Sequence, residues 1–304
     1  MSFREWPQTE SGRGEILMKP YRTWLLFLCG LVCASFAVSG AMAQTMPEGR
    51  LMRFPDVHGD KVVFSYAGDL WLVSTDGGVA SRITTSPGLE LFPKFSPDGK
   101  WIAFTAQYDG NFNVYVMPAT GGEPRQLTFL PDIQPMPERM GPNNEVITWT
   151  PDSQNIVFLS RQNTFNDWFG RLFTVPVTGG LPVQLPVDKG GLTSYSPDGK
   201  SIAYNRIFRN FRTWKRYTGG MAQSIWIYDF SANHVEKITD YDGANTYPMW
   251  HGNTIYFGSD RGADRCRNGL VRTIDAATDE HRCRQYCDQC HPRQGRCGVQ
   301  YPLQ

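Results

Sequence analysis

The sequence predicts an all-β protein: a β-propeller of four-stranded blades, holding about four to five blades of an incomplete ring. Three observations carry that expectation. Five segments share an aromatic residue, a polar turn and an apolar run: FPDVHGDKVVFSY (54–66), FSPDGKWIAFTA (95–106), WTPDSQNIVFLS (149–160), YSPDGKSIAYNR (195–206) and WHGNTIYFGSDR (250–261). Their equivalent positions Val62, Ile102, Ile156, Ile202 and Ile255 are 40, 54, 46 and 53 residues apart. A second pattern follows each of the first four segments, and no long helical periodicity occurs after residue 44.

The second pattern is an alternating strand around one aromatic residue (Trp71, Tyr115, Phe173 or Trp226), then a turn, then a short strand closing on Ile or Leu. The turns are Gly77-Gly78, Gly121-Gly122, Gly179-Gly180 and Ser231-Ala232-Asn233. Period-two alternation suits half-buried strands. Pro-Asp-Gly and Gly-Gly supply the dihedrals that tight turns need, because Pro presets φ and Gly tolerates positive φ. Four short strands within each repeat make one blade, and a blade cannot bury its faces alone.

The ends differ in kind from this middle. Lys19 and Arg22 precede an apolar run from Trp24 to Val38, and Ala41-Met42-Ala43 follows. This order reads as a secretory signal peptide with an extended N-terminus over 1–43, cleaved before Gln44. The apolar run is short for a membrane span. The expectation is an exported, periplasmic protein with no stable membrane span after cleavage. Of seven cysteines, Cys29 and Cys33 fall in that segment and five fall in the last 42 residues, so no disulfide framework spreads through the repeats. A net charge of +1 argues against a nucleic-acid partner, and 13% aromatic residues argue against disorder.

The repeats, 44–262, carry little chemistry. His58, His234 and His251 fall at or between turns, with no nucleophile elbow and no zinc-protease motif. Asp109-Gly110-Asn111 and Asp242-Gly243 lack the carboxylate spacing of a calcium loop and read as turns. The informative stretch is basic and aromatic. Arg206, Arg209, Arg212 and Lys215 recur every third residue, Arg216 follows, and Phe208, Phe211, Trp214 and Tyr217 interleave. No acid lies between Asp198 and Asp229. Arginine binds carboxylates in a bidentate way, so Arg206, Arg209, Arg212, Trp214, Lys215 and Arg216 are candidate peptide contacts. The competing reading is a long hairpin whose aromatics pack on a neighbouring blade. Basic residues between aromatics also suit single-stranded nucleic acid, a reading the near-neutral charge disfavours.

The tail, 263–304, breaks the repeat. It holds seven Arg and five Cys but no Lys, Phe or Trp, and only Leu270 to Asp279 echoes a strand and turn. Cys283, Cys287, Cys290 and His291 are spaced closely enough for Zn²⁺, but the paired C-x₂-C form is missing. Cys287 to His291 reads C-x-x-C-H, a haem-attachment pattern, without apolar flanks to cover a porphyrin. A shifted reading frame accounts best for an irregular Arg- and Cys-rich end, so no metal or other cofactor is expected. An open arc of blades leaves two faces uncovered, which predicts a marginal or aggregation-prone chain.

The repeat S-P-D-G-K-x-I-A-F with its G-G-x-x-R-Q-L-T closure resembles the propellers of the Tol-system periplasmic protein, of prolyl oligopeptidase relatives and of tricorn protease. NRIFRNFRTWKRYTGGMAQSIWIYDF (205–230) and MPEGRLMRFPDVHGDKVVFSYAGDLWLV (46–73) resemble the first propeller of tricorn-type serine proteases more specifically. That resemblance covers 46–262. It implies a six-bladed first propeller, a second propeller and catalytic domains beyond it, action on peptides, and assembly into homo-oligomers. The implied role is routing or gating of peptides, or assembly with protease domains. It places the catalytic serine and its partners outside this chain, so no catalytic residue is carried over. The alternatives are a non-enzymatic interaction propeller of the Tol type and a small redox protein built on the tail.

Overall fold

The computed structural model describes residues 51–131, 141–162, 169–207 and 217–260, and the backbone of 270–275 and 284–285. Among the described residues there are strands and turns and no helix. Blade 1 comprises β1 (Arg53–His58), β2 (Lys61–Tyr66), β3 (Asp69–Ser74) and β4 (Ser81–Arg82). Blade 2 comprises β5 (Glu90–Phe95), β6 (Trp101–Ala106), β7 (Asn113–Pro118) and β8 (Arg125–Gln126). Blade 3 comprises β9 (Asn144–Trp149), β10 (Asn155–Ser160), β11 (Arg171–Pro176) and β12 (Val183–Gln184). Blade 4 comprises β13 (Thr193–Tyr195), β14 (Ser201–Asn205), β15 (Ile225–Asp229) and β16 (His234–Lys237). Blade 5 comprises β17 (Asn245–His251), β18 (Thr254–Ser259), β19 (Leu270–Asp275) and β20 (Arg284–Gln285). Every blade is an antiparallel sheet in chain order, as an incomplete propeller requires.

Blade 5 reaches further than the repeat pattern suggests. Its β19 and β20 come from 263–304, the segment expected to be an irregular tail after the start of blade 5 at 262. The ladder runs from Ser259↔Leu270 to Thr254↔Asp275. Backbone pairing needs extended residues at the right distance rather than a particular side chain, and Leu270 to Asp275 alternates well enough to supply them. The aromatic partner is nonetheless lost. The other blades pair Phe64 with Trp71, Phe104 with Tyr115, Phe158 with Phe173 and Tyr204 with Trp226. Blade 5 pairs Phe257 with Arg272.

Alternation gives each blade two faces, and the seams use them in a fixed way. The leading face carries Val63, Ala103, Val157, Ala203 and Tyr256; the trailing face carries Val62, Ile102, Ile156, Ile202 and Ile255. Leading-face Val63 and Leu70 of blade 1 share a core with trailing-face Phe95, Ile102, Phe104 and Met117 of blade 2. Ala103, Val114 and Val116 of blade 2 meet Trp149, Ile156, Phe158 and Val175 of blade 3. Val157, Leu159 and Leu172 of blade 3 meet Ile202, Tyr204 and Tyr228 of blade 4. Ala203 and Ile225 of blade 4 meet Ile255 and Phe257 of blade 5. Aliphatic side chains of one blade therefore meet larger, often aromatic ones of the next across each seam.

Short turns hold the blades in register. Ser96 Oγ donates to Asp98 Oδ1 at 2.6 Å and accepts Trp101 N at 3.0 Å. Ser196 and Asp198 repeat the 2.6 Å bond, and Thr150 and Asp152 repeat it at 2.5 Å. The residue after each Asp needs positive φ: Gly99 has +70°, Gly199 has +71°, and Ser153 takes the same turn at +60°.

Candidate functional site

Antiparallel order sorts the connections onto two edges. The turns within β1–β2 and β3–β4, and their equivalents, lie on one edge. The β2–β3 type loops and the links between blades lie on the other. The first edge carries the short Asp-Gly and Gly-Gly turns, with His58, His234 and His251 at the adjoining strand ends. The second edge receives the described ends of the connections from β8 to β9, from β10 to β11 and from β14 to β15. Binding residues concentrate on long loops held by a rigid scaffold. The loop edge is therefore the candidate binding surface, and it lies opposite the three histidines.

Arg206 opens the longest of these segments, directly after β14. Alternation puts it on the trailing face of blade 4, where blades 2, 3 and 5 hold Ala106, Ser160 and Ser259. It reaches the link from blade 3 into blade 4: its Nη2 donates to Asp188 Oδ2. Its guanidinium carbon lies 4.8 Å from the centre of the Trp226 ring, within cation–π range. Below it, Tyr204 is fully buried and its hydroxyl has no hydrogen-bond partner. Burial pushes that phenol up to about 12; Arg206 opposes the shift and Asp188 adds to it. Arg206 Nε is also buried without a partner.

The next residue in the link, Lys189, is a second cation on an aromatic face. Lys189 Nζ lies 4.3 Å from the centre of the Phe169 ring. Gly190 N donates to Gly170 O at 2.9 Å, tying the blade 3 loop to the link into blade 4. This edge thus sets two cations on two aromatic faces, one of them also paired with Asp188.

Of the sequence-predicted contacts, Arg206 is placed here. Arg209, Arg212, Trp214, Lys215 and Arg216 lie outside the described residues, as do Cys283, Cys287, Cys290 and His291. Among the described residues no three His, Cys, Asp or Glu side chains gather as a metal site would need. Asp188, Lys189, Phe169 and Tyr204 were not singled out by sequence reasoning. Aligning the repeats flags Arg206 as the one cation at a position that holds Tyr66, Ala106, Ser160 and Ser259 in the other blades, but nothing local announces Asp188 as its partner.

The polar seam between blades 1 and 2 is of another kind. Glu90 is fully buried; its carboxylate accepts Leu70 N at 3.0 Å, the Thr84 hydroxyl and the Tyr108 hydroxyl at 2.6 Å. Burial raises its pKa, the three donors oppose the rise, and Asp69 adds to it. This carboxyl fastens two blades and opens onto no ligand surface among the described residues.

Comparison with known proteins places the whole described fold. Residues 49–287 match the family of the tricorn protease N-terminal beta propeller domain. The chain is 31% identical over 223 residues to tricorn protease homolog 1 of Streptomyces coelicolor, covering 72% of this chain and 20% of that protein. In structure it is similar to the tricorn protease, with a TM-score of 0.63 and 24% identity over 79% of this chain and 22% of that one. It is also similar to TolB of Acinetobacter baumannii, with a TM-score of 0.53 and 20% identity over 77% of this chain and 56% of that one. The chain thus spans about a fifth of the length of these two tricorn relatives.

Proposed function

Because the chain belongs to the tricorn protease N-terminal β-propeller family, we propose that it is a non-catalytic, exported propeller that handles peptides for protease domains, by routing them or by assembling with those domains. The observation that carries the reading is the rim at the blade 3–blade 4 seam. There Arg206 and Lys189 stand on aromatic rings on the edge that bears the long loops. Arginine over an aromatic face offers planar donors to a passing carbonyl or carboxylate while the ring holds an apolar side chain.

The test is fluorescence anisotropy with labelled unstructured peptides and the 304-residue chain. Peptide binding that weakens severalfold in Arg206→Ala supports the reading. Absence of peptide binding, with capture of a folded protein instead, would sink it in favour of an interaction propeller of the Tol type. Peptide hydrolysis by the chain alone would defeat its non-catalytic part. The exported part is tested by N-terminal sequencing of the mature protein, which should begin at Gln44.

A further inference from the structure

Five Asp-Gly pairs occur in the sequence: Asp76-Gly77, Asp98-Gly99, Asp109-Gly110, Asp198-Gly199 and Asp242-Gly243. All share one reactive arrangement, because an unhindered glycine amide follows a carboxyl that can close a five-membered ring on it. Closure needs a free amide, a carboxyl that can turn onto it, and a backbone that can follow. The structure denies at least one of these to four pairs. The amides of Gly77, Gly99 and Gly199 donate to Ser74 O at 3.0 Å, Ser96 O at 2.8 Å and Ser196 O at 2.9 Å. Two of the carboxylates are held as well. Asp98 Oδ1 accepts Ser96 Oγ at 2.6 Å and Lys100 N at 3.2 Å. Asp198 Oδ1 accepts Ser196 Oγ at 2.6 Å and Lys200 N at 3.1 Å. Gly243 is buried so closely against the Tyr241 ring and Asp260 that a Cβ would collide with both. The carbonyls beside it are tied too, Asp242 O by Gly219 N at 3.4 Å and Gly243 O by Asn245 Nδ2 at 3.3 Å. Asp109-Gly110 differs. Both residues are exposed in the loop between β6 and β7, on the loop edge, with open space where a Gly110 Cβ would stand. Among the described residues no hydrogen bond or ion pair engages the Asp109 carboxylate or the Gly110 amide.

We propose that Asp109 is a modification site: it isomerises to isoaspartate in the folded protein and becomes the substrate of an S-adenosylmethionine-dependent isoaspartyl carboxyl methyltransferase. Gly110 N gives up its proton and bonds to Asp109 Cγ, and the carboxyl hydroxyl leaves with a proton as water, closing a succinimide. Water then adds back. Where the ring opens on the Cα-carbonyl side, the main chain runs through Cβ and a free α-carboxylate remains. One water is lost and one regained, so the mass is unchanged and no further reactant is needed. The methyltransferase moves a methyl group from S-adenosylmethionine to an oxygen of that α-carboxylate and releases S-adenosylhomocysteine. The change falls on the loop edge and lengthens the main chain by one carbon. It does so close to Phe112, whose carbonyl accepts Asn144 Nδ2 at 2.8 Å across the seam between blades 2 and 3. The site stands whether or not that edge binds peptides.

The experiment ages the 304-residue protein at neutral pH, folded and, in parallel, in denaturant. Isoaspartate is counted by methylation with an isoaspartyl methyltransferase and tritiated S-adenosylmethionine, and it is located in digests by electron-transfer fragmentation. In denaturant the five pairs should isomerise at similar rates. In the folded protein Asp109 should gain isoaspartate severalfold faster than each of the other four. Asp109→Glu should remove most of the Asp-Gly signal, because glutamate would need a six-membered ring. Isoaspartate formed at Asn268-Gly269, outside the described residues, is told apart by the mass gained on deamidation. Another Asp-Gly pair that matches or leads Asp109 in the folded protein overturns the proposal. So does the same ranking in both states, or a folded chain that forms no isoaspartate at Asp109 while the denatured chain does. If Asp109→Glu fails to fold by circular dichroism, the ranking of the wild-type peptides decides alone.

Discussion

Glu90 places a carboxyl where no water reaches it, and its ionisation is coupled to folding. Its pKa is raised from 4.5, chiefly by burial. The native state therefore holds the Glu90 proton more tightly than the unfolded chain does. The stability this side chain contributes is fully present below the unfolded value and is lost as pH rises through the folded one. Asp98, Asp152, Asp198 and Asp229 act in the opposite sense, because turn hydroxyls and amides lower their pKa values and their contribution fades as pH falls. A comparison of wild type with Glu90→Gln cancels those turns. We expect wild type to be favoured more at about pH 4 than at about pH 8 in thermal melts. A difference independent of pH would show that Glu90 does not titrate in that window. At the same scale, Gly88 has φ +116°, and an added Cβ would drive into the Gln107 carbonyl. Gly59 has φ +58° with nothing near such a Cβ. Gly88→Ala should cost about 3 kcal/mol and Gly59→Ala about 1 kcal/mol in denaturant titrations, because only the first adds a clash to the backbone strain. The Asp-Gly turns were legible from composition, yet Ser153 takes the same turn without glycine. Its hydroxyl accepts Asp98 N at 3.1 Å from the neighbouring blade, a contact that no local pattern announces.

At the scale of the strand, the repeat's closing Ile-Thr or Leu-Thr has a mechanical reason. The fourth strand of blades 1 to 3 has two residues, so the second amide of the third strand lies beyond its reach. In blades 1 and 2 a threonine just past that strand accepts it instead, Thr84 from Leu70 N at 2.9 Å and Thr128 from Val114 N at 2.9 Å; in blade 4, whose fourth strand has four residues, Thr239 accepts Ile225 N, the first amide of β15, at 3.1 Å. Blade 3 has Pro186 at that place and no hydroxyl to offer. Thr128 also donates to Asn113 Oδ1 at 2.9 Å, so its removal strands a buried amide and weakens a buried side-chain bond. Thr128→Val keeps the shape and should cost about 1–3 kcal/mol in chemical denaturation, with Thr128→Ser recovering most of it. Equal losses for Ser and Val would mean that packing rather than the hydroxyl matters. Strand pairs and turns were readable because each blade states them anew with the same alternation. The Arg206–Asp188 pair was not, because its partners are 18 residues apart, one just past β14 and one in the link between blades 3 and 4.

Across the described arc, each blade is finished by the next, so the last blade decides how the array ends. The sequence reading stopped blade 5 at Gly262, where aromatic residues give way to arginine and cysteine. The backbone continues: β19 pairs along β18 and β20 pairs with β19 through Arg272↔Gln285 and Thr273↔Arg284. The two views make opposite claims about removal of the tail. Without residues beyond 262, β18 becomes a sheet edge from Thr254 to Ser259, offering unpaired amides and carbonyls for edge-to-edge association. Ile255 and Phe257, now fully and almost fully buried against blade 4, would lose the strand that braces β18. We therefore expect a chain cut after Gly262 to melt several degrees below one cut after Cys287, and to aggregate at lower concentration. A side-chain-independent ladder predicts more: scrambling 276–283, between the strands, should leave the melt of the longer chain unchanged, whereas Val271→Pro within β19 should lower it. Identical melts for both truncations would show that the tail adds nothing to the blade, and that the break in composition at Gly262 marks the true end of the fold.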